Sequence, residues 1–208
     1  MYPWNTIKIA EDSTLRMVHE AVKRGHKVAI IYHDSFTVDE DTHVYALCDV
    51  IMKQQKVPVS MAAFHKSVKF KQEFLPLRGF DVLFLRSNPP IDVVMLNFLD
   101  SIKDDVFIMN DIDGLRKAST KIYPATLYDP NHDIIPKTVI SKNKKFLKKV
   151  INEAQSDKII MKPLDGYGGS GVIILEKSAK KNINSLLEFY IDREGNNSKY
   201  VILQEYVE

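Results

Sequence analysis

The amino-acid sequence predicts a mixed α/β fold in two successive layers. Residues 1–117 should form an open, mainly parallel sheet with helices on its faces, and residues 118–208 a smaller α+β layer. Three observations carry this. In the first half, apolar runs of strand length alternate with helical patterns, as βαβ units require. In the second half the strand-like runs lie closer together and share two amphipathic helices. Between two of those later runs sits a loop dense in glycine, with a strand pattern on each side of it.

The elements follow in order. Asp12 or Ser13 can cap a helix whose apolar positions are Leu15, Met17, Val18, Ala21 and Val22, and Gly25 stops it. Residues 27–32 are a short β-branched run, and residues 80–85 and 106–109 supply two more strands. The first layer ends near Arg116. Beyond it the expected strands are residues 138–140, 158–162, 172–175 and 200–203, with helices over 145–154, capped by Ser141, and over 182–191. Residues 195–198 form a turn cluster before the last strand.

Composition excludes several classes of function. The chain is 45% hydrophobic and 27% charged, an ordinary globular balance that argues against disorder and fibres. A formal net charge of +2 leaves little for a nucleic-acid partner. The one basic run, residues 142–149, reads as the solvated face of a helix in which Phe146, Leu147, Val150 and Ile151 repeat at helical spacing. One cysteine, Cys48, rules out an internal disulfide and fits a reducing cytoplasm; among Ala46, Leu47 and Val50 it reads as core. The chain opens without a basic segment leading into an apolar one, and no apolar run reaches the length of a membrane span. Its histidines are scattered, without metal-ligand spacing.

The chemistry concentrates in residues 162–171. Gly166, Gly168 and Gly171 match G-x-G-x-x-G literally, but a dinucleotide-binding turn needs a helix after it, and here a strand pattern follows. The Gly-Lys-Ser/Thr of a Walker loop is absent, and so are the partner motifs of a protein kinase. What remains is a glycine hairpin entered from a strand that ends in Lys162. Glycines let backbone N–H groups approach phosphate oxygens, and the ammonium adds a point charge for the same oxygens.

With those residues on the page, the chain resembles the bacterial glutathione synthetase family of ATP-grasp ligases. Residues 157–175 are similar to that family's phosphate-covering loop. Glu11-Asp-Ser13 and the following helix resemble its opening, Leu85-Arg-Ser-Asn-Pro-Pro90 resembles its Arg-Lys-Asp-Pro-Pro turn, and residues 109–116 resemble the segment before its ATP-binding domain. Where the family has Asn-Glu-Lys, this chain has Ser119-Thr120-Lys121, and Asn88 stands where the family has Asp.

The resemblance implies a pre-ATP-grasp open parallel sheet over residues 1–117 and the first part of an ATP-grasp domain over residues 118–208, without the family's first strand or its C-terminal lobe. Lys121 and Lys162 would contact ATP phosphates, and Gly166, Tyr167, Gly168, Gly169, Ser170 and Gly171 would fold over them. The backbone of Gln204, Glu205, Tyr206 and Val207 would read adenine. Asp12, Ser13 and Arg86 would hold the acid substrate, Arg86 through a carboxylate. The ligands of Mg²⁺ would belong to the absent lobe, so this chain alone is expected to be inactive as a ligase. The activity implied is ATP-dependent joining of γ-glutamylcysteine and glycine through an acyl phosphate, in the cytoplasm, with homo-oligomerisation at full length left open. A ligase for another acid and amine, and an inactive ATP-binding remnant, remain alternatives.

Overall fold

The computed structural model describes residues 3–88, 90–164, 168–191 and 199–207. Two of the expected site residues, Gly166 and Tyr167, and the turn cluster at 195–198 lie outside the described residues. The chain divides into two compact units, Met1–Leu115 and Arg116–Glu208. Among the described residues, no helix is long and apolar enough to cross a membrane.

The first unit opens with α1 (Ser13–Lys23), whose N-cap is Asp12: its Oδ1 accepts the backbone N–H of Leu15 at 2.6 Å. The helix ends in a Schellman motif. Gly25, at φ +84°, donates to Val22 O, and the next residue, His26, donates to Ala21 O. Two long strands follow, β1 (Ala29–Val38) and β2 (Val44–Ile51), then α2 (Met61–Ser67) and β3 (Phe70–Pro76). These strands pair antiparallel in the order β1-β2-β3. A separate two-stranded sheet, β4 (Val82–Phe84) and β5 (Phe107–Met109), is parallel. Between its strands runs α3 (Val93–Asp100), capped by Asp92, and α4 (Ile112–Ala118) follows β5.

The mainly parallel sheet expected here is therefore confined to β4 and β5. The reason lies in the β1–β2 connection: residues 39–43 close a tight turn, and a turn that short can join only antiparallel strands. β2 is the central strand, with apolar cores on both faces. Val44, Ala46 and Cys48 pack with Leu83, Met95, Leu96 and Leu99, whereas Ile51 packs with Leu15, Val18, Ile30 and Phe64. Burial alternates over residues 44–48, but the sequence Val-Tyr-Ala-Leu-Cys-Asp-Val-Ile is apolar at nearly every position, which hides the strand from a search for period two.

The second unit holds α5 (Ile122–Ala125), β6 (Thr138–Ser141), α6 (Lys144–Glu153), β7 (Lys158–Pro163), β8 (Ile173–Glu176), α7 (Lys180–Ile191) and β9 (Val201–Glu205). Its four strands form one antiparallel sheet in the order β6-β9-β7-β8. Leu147 and Ile151 of α6 and Leu187 and Ile191 of α7 bury one face of it against Ile159, Met161, Val201 and Leu203. Asn143, rather than Ser141, caps α6: its side chain accepts from Phe146 N at 3.1 Å, while Ser141 ends β6 and its Oγ accepts from Asn143 N. The basic run lies largely on the solvated side of this helix, with Lys145 and Lys149 exposed.

Cys48 is fully buried, and burial together with the negative charges of Asp49 and Glu73 pushes its thiol up to about 11. The folded chain therefore keeps this proton through a range in which the unfolded chain loses it, so this contribution to stability is complete below pH 9 and declines as pH rises toward 11. At pH 8 iodoacetamide should leave Cys48 unmodified in the native chain and alkylate it in urea. Rapid labelling without denaturant would show that the thiol is not held in the core.

Candidate functional site

Side chains of a strand alternate between the faces of its sheet. In β7, Ile159 and Met161 enter the core under the helices, so Ile160 and Lys162 point to the opposite face. The register places Gln204 of β9 opposite Ile160, and Thr138 of β6 opposite Gln204. Thr138, Gln204 and Lys162 thus share the face that α6 and α7 leave alone. They are hydrogen-bonded in series. Lys162 Nζ donates to Gln204 Oε1 at 2.7 Å, Gln204 Nε2 donates to Thr138 Oγ1 at 2.8 Å, and the Thr138 hydroxyl donates to Pro136 O at 2.6 Å.

A second ammonium reaches the same end of β7. Lys121, the residue before α5, donates from Nζ to Leu164 O at 3.1 Å and to Pro163 O at 3.3 Å. Partial burial lowers the pKa of Lys162 below the ordinary lysine value, and the positive charge of Lys121 lowers it further. Both effects disfavour the charged form of Lys162 relative to a lysine in water. Phosphate oxygens are the kind of group that two ammonium groups at one strand end can bind.

The glycine hairpin begins where these lysines end. Gly168, Gly169 and Gly171 have φ of +62°, +79° and +73°, the left-handed region that lets successive N–H groups turn toward one side. Gly168, Gly169 and Ser170 are exposed. The far end of the loop is tied down: Val172 N donates to Gly169 O, and the Tyr190 hydroxyl of α7 donates to Gly171 O at 3.2 Å. β8 follows, so the loop joins two strands. At the end of β9, Glu205 exchanges backbone and side-chain bonds with Lys137: its N–H donates to Lys137 O, and its Oε1 accepts from Lys137 N at 3.0 Å. Tyr206 lies under the Lys158 ammonium, 5.3 Å from the ring centre, and Val207 is exposed.

The acid-binding candidates lie together in the first unit, on a cavity of about 660 Å³ whose walls include Asp12, Ser13, Arg86, Lys8, Asn88 and Asn110. The first turn of α1 orients the Arg86 guanidinium: Nη2 donates to Ser13 Oγ at 2.8 Å and Nε to Thr14 Oγ1 at 3.4 Å. Asp12 spends Oδ1 on the helix cap. Below the cavity Asn110 Nδ2 donates to Leu85 O at 3.2 Å, linking the ends of β4 and β5. Thr14, Lys8 and Asn110 were not singled out from sequence. Only Thr14, adjacent to Ser13, carried any local signal.

Among the described residues, the group of acidic and histidine side chains whose donor atoms lie within reach of one metal ion is Asp39, Asp41 and His43. It belongs to the β1–β2 turn, where Asp39 Oδ1 already accepts the N–H groups of Asp41 and His43. It lies in the first unit.

Comparison with known proteins gives the same family for both units. A model described as "Prokaryotic glutathione synthetase, N-terminal domain" matches residues 1–116, and one described as "Prokaryotic glutathione synthetase, ATP-grasp domain" matches residues 121–208. Glutathione synthetase of Escherichia coli O6:H1 is 27% identical over 212 residues, which cover 100% of this chain and 61% of that protein. Glutathione synthetase of Agrobacterium fabrum is 29% identical, covering 88% of this chain and 54% of its own length. That of Thermosynechococcus vestitus is 30% identical over 65% of this chain and 41% of its own. The chain thus spans about three fifths or less of the length of these curated relatives. A solved structure titled "Crystal structure of D-cycloserine synthetase DcsG" is similar over 62% of this chain and 45% of its own, at 21% identity and a TM-score of 0.43.

The hairpin's geometry can be tested apart from any ligand. A Cβ on Gly171 would lie 3.0 Å from Pro163 Cγ and 3.1 Å from its Cδ, at a φ that L residues avoid, whereas a Cβ on Gly168 would meet nothing within 4 Å. Gly168→Ala should therefore lose only the left-handed backbone penalty, about 1–2 kcal/mol. Gly171→Ala should lose more, because the proline ring must also give way. Urea unfolding of the two variants compares them directly. Equal losses would show that Gly171 does not pack on Pro163.

Proposed function

This chain belongs to the prokaryotic glutathione synthetase family, and we propose that it carries the nucleotide- and acid-binding parts of a ligase that joins γ-glutamylcysteine to glycine at the expense of ATP. The observation that best supports this is the pair of ammonium groups, Lys121 and Lys162, at the entrance of the glycine hairpin.

The chemistry follows from what these groups can hold. A carboxylate oxygen of the acid attacks the γ-phosphorus of ATP, the bond to the β-phosphate oxygen breaks, and an acyl phosphate and ADP result. The amine of glycine then attacks the acyl carbon, loses a proton and expels inorganic phosphate, leaving an amide. In the first step negative charge spreads over the moving phosphoryl group, where fixed cations and backbone N–H donors are most effective. Lys121 and Lys162 supply the cations, and the N–H groups of residues 168–171 the donors. The backbone of residues 204–207 lies along the end of β9, where it would receive adenine. Arg86, held by Ser13 and Thr14, presents its guanidinium to a carboxylate of the acid.

Magnesium, when bound, would neutralise charge on the β- and γ-phosphates. In the Asp39–Asp41–His43 turn, Asp39 Oδ1 is already engaged by two backbone donors. A second reading of the substrate rests on Asn88. An uncharged side chain on the acid-binding cavity, at the position where the family's turn carries Asp, suits an acid with a different charge pattern. We assign the protein to the cytoplasm, where the buried Cys48 thiol would stay reduced.

The chain should bind ATP, and Lys162→Ala should weaken that binding about tenfold, the equivalent of roughly 1.4 kcal/mol and close to the lower end of what a charge-assisted hydrogen bond contributes. Calorimetric titration of the 208-residue chain measures both. Unchanged affinity in the variant would remove Lys162 from the phosphate site.

A further inference from the structure

We infer that Gln204 is a positioning residue for Lys162: Thr138 holds its amide in one orientation, and the amide oxygen thereby aims the ammonium at the phosphates. This rests on the reading of Lys162 as a phosphate ligand. It gives the Gln204 side chain a task separate from base recognition, to which the sequence assigned only its backbone.

The register makes the contact and donor polarity makes it directional. β9 lies between β6 and β7 in the sheet. Thr138 is directly opposite Gln204, and Lys162, paired with Ile202, stands one diagonal step away. Both separations are within reach of long side chains on one face. An ammonium only donates, so Gln204 must face Lys162 with its oxygen. Its NH₂ then points to Thr138, whose Oγ must accept and whose single proton goes to the carbonyl of Pro136. With an acceptor-only carbonyl at one end and a donor-only ammonium at the other, no group in the series can be reversed without losing a bond. Gln204 uses one of the three N–H bonds of Lys162, which leaves two to converge on phosphate oxygens. Without Thr138 the amide loses its anchor, and the four-carbon stem of Lys162 regains its rotamer freedom at the place where a fixed charge is needed.

Thr138→Val keeps the β-branched shape of the residue and removes the acceptor; Thr138→Ser keeps the hydroxyl. ATP is titrated into the full chain carrying each change, and Thr138→Val is repeated in the Lys162→Ala background, with thermal unfolding of every variant as a control. Thr138→Val should weaken ATP binding about three- to tenfold, Thr138→Ser should bind within about twofold of the parent, and Thr138→Val should add nothing once Lys162 is gone, as coupled residues require. Wild-type affinity in Thr138→Val, with Lys162→Ala still impaired, overturns this inference and leaves the proposed function standing. An equal loss in both backgrounds also overturns it, because Thr138 would then act without Lys162. If Lys162→Ala binds ATP as the parent does, or the parent does not bind at all, the proposed function fails and this inference falls with it.

Discussion

The constraint on which the second unit turns is the cost of holding two ammonium groups near one another at the partly buried end of a strand. Charged groups leave water only when something replaces it. Lys121 obtains two backbone carbonyls, from Pro163 and Leu164. Lys162 obtains one neutral amide oxygen and remains below the ordinary lysine pKa. On the proposed reading, the phosphates of ATP would join this pair. The same carbonyls that hold Lys121 open the glycine hairpin, so charge and loop are physically joined.

The four-stranded sheet separates stability from function by face. One side carries Ile159, Met161, Val201 and Leu203 into a core closed by α6 and α7, and it contains no buried polar side chain among the described residues. The other side carries the Thr138–Gln204–Lys162 series. Because side chains alternate strictly along each strand, substitutions on the second face can change the charge of the site while the core keeps its packing. The first unit follows a related plan, with the first turn of α1 serving both as a helix start, through Asp12, and as a bracket for Arg86, through Ser13 and Thr14.

Much of this was legible in the sequence where a local pattern carried the signal. β7, β8 and β9 were found within a residue or two of their ends because apolar β-branched residues recur there, and Lys162 with its trailing glycines marked the loop between them. The antiparallel pairing of β1, β2 and β3 was not. β1 continues through His33, Asp34 and Ser35 past a register shift, β2 is apolar at nearly every position, and β3 exposes Lys71, Gln72 and Phe74, so none of them shows clean alternation in sequence. The cap of α6 was misplaced by two residues because Ser141 and Asn143 are both good caps, and the choice depends on where β6 ends. The Lys162–Gln204–Thr138 series was invisible for a different reason. Its members are 42 and 66 residues apart, and only sheet register brings them together.

On the proposed function, the Lys162 ammonium lies against the phosphates of bound ATP. Its side-chain pKa, followed by NMR on ¹⁵N-labelled lysine in the chain with and without ATP, tests this most directly. The value should lie below that of an ordinary lysine in the free chain and rise when ATP is added, as the triphosphate offsets burial and the charge of Lys121. A pKa that ATP leaves unchanged would contradict it, whatever the nucleotide's affinity.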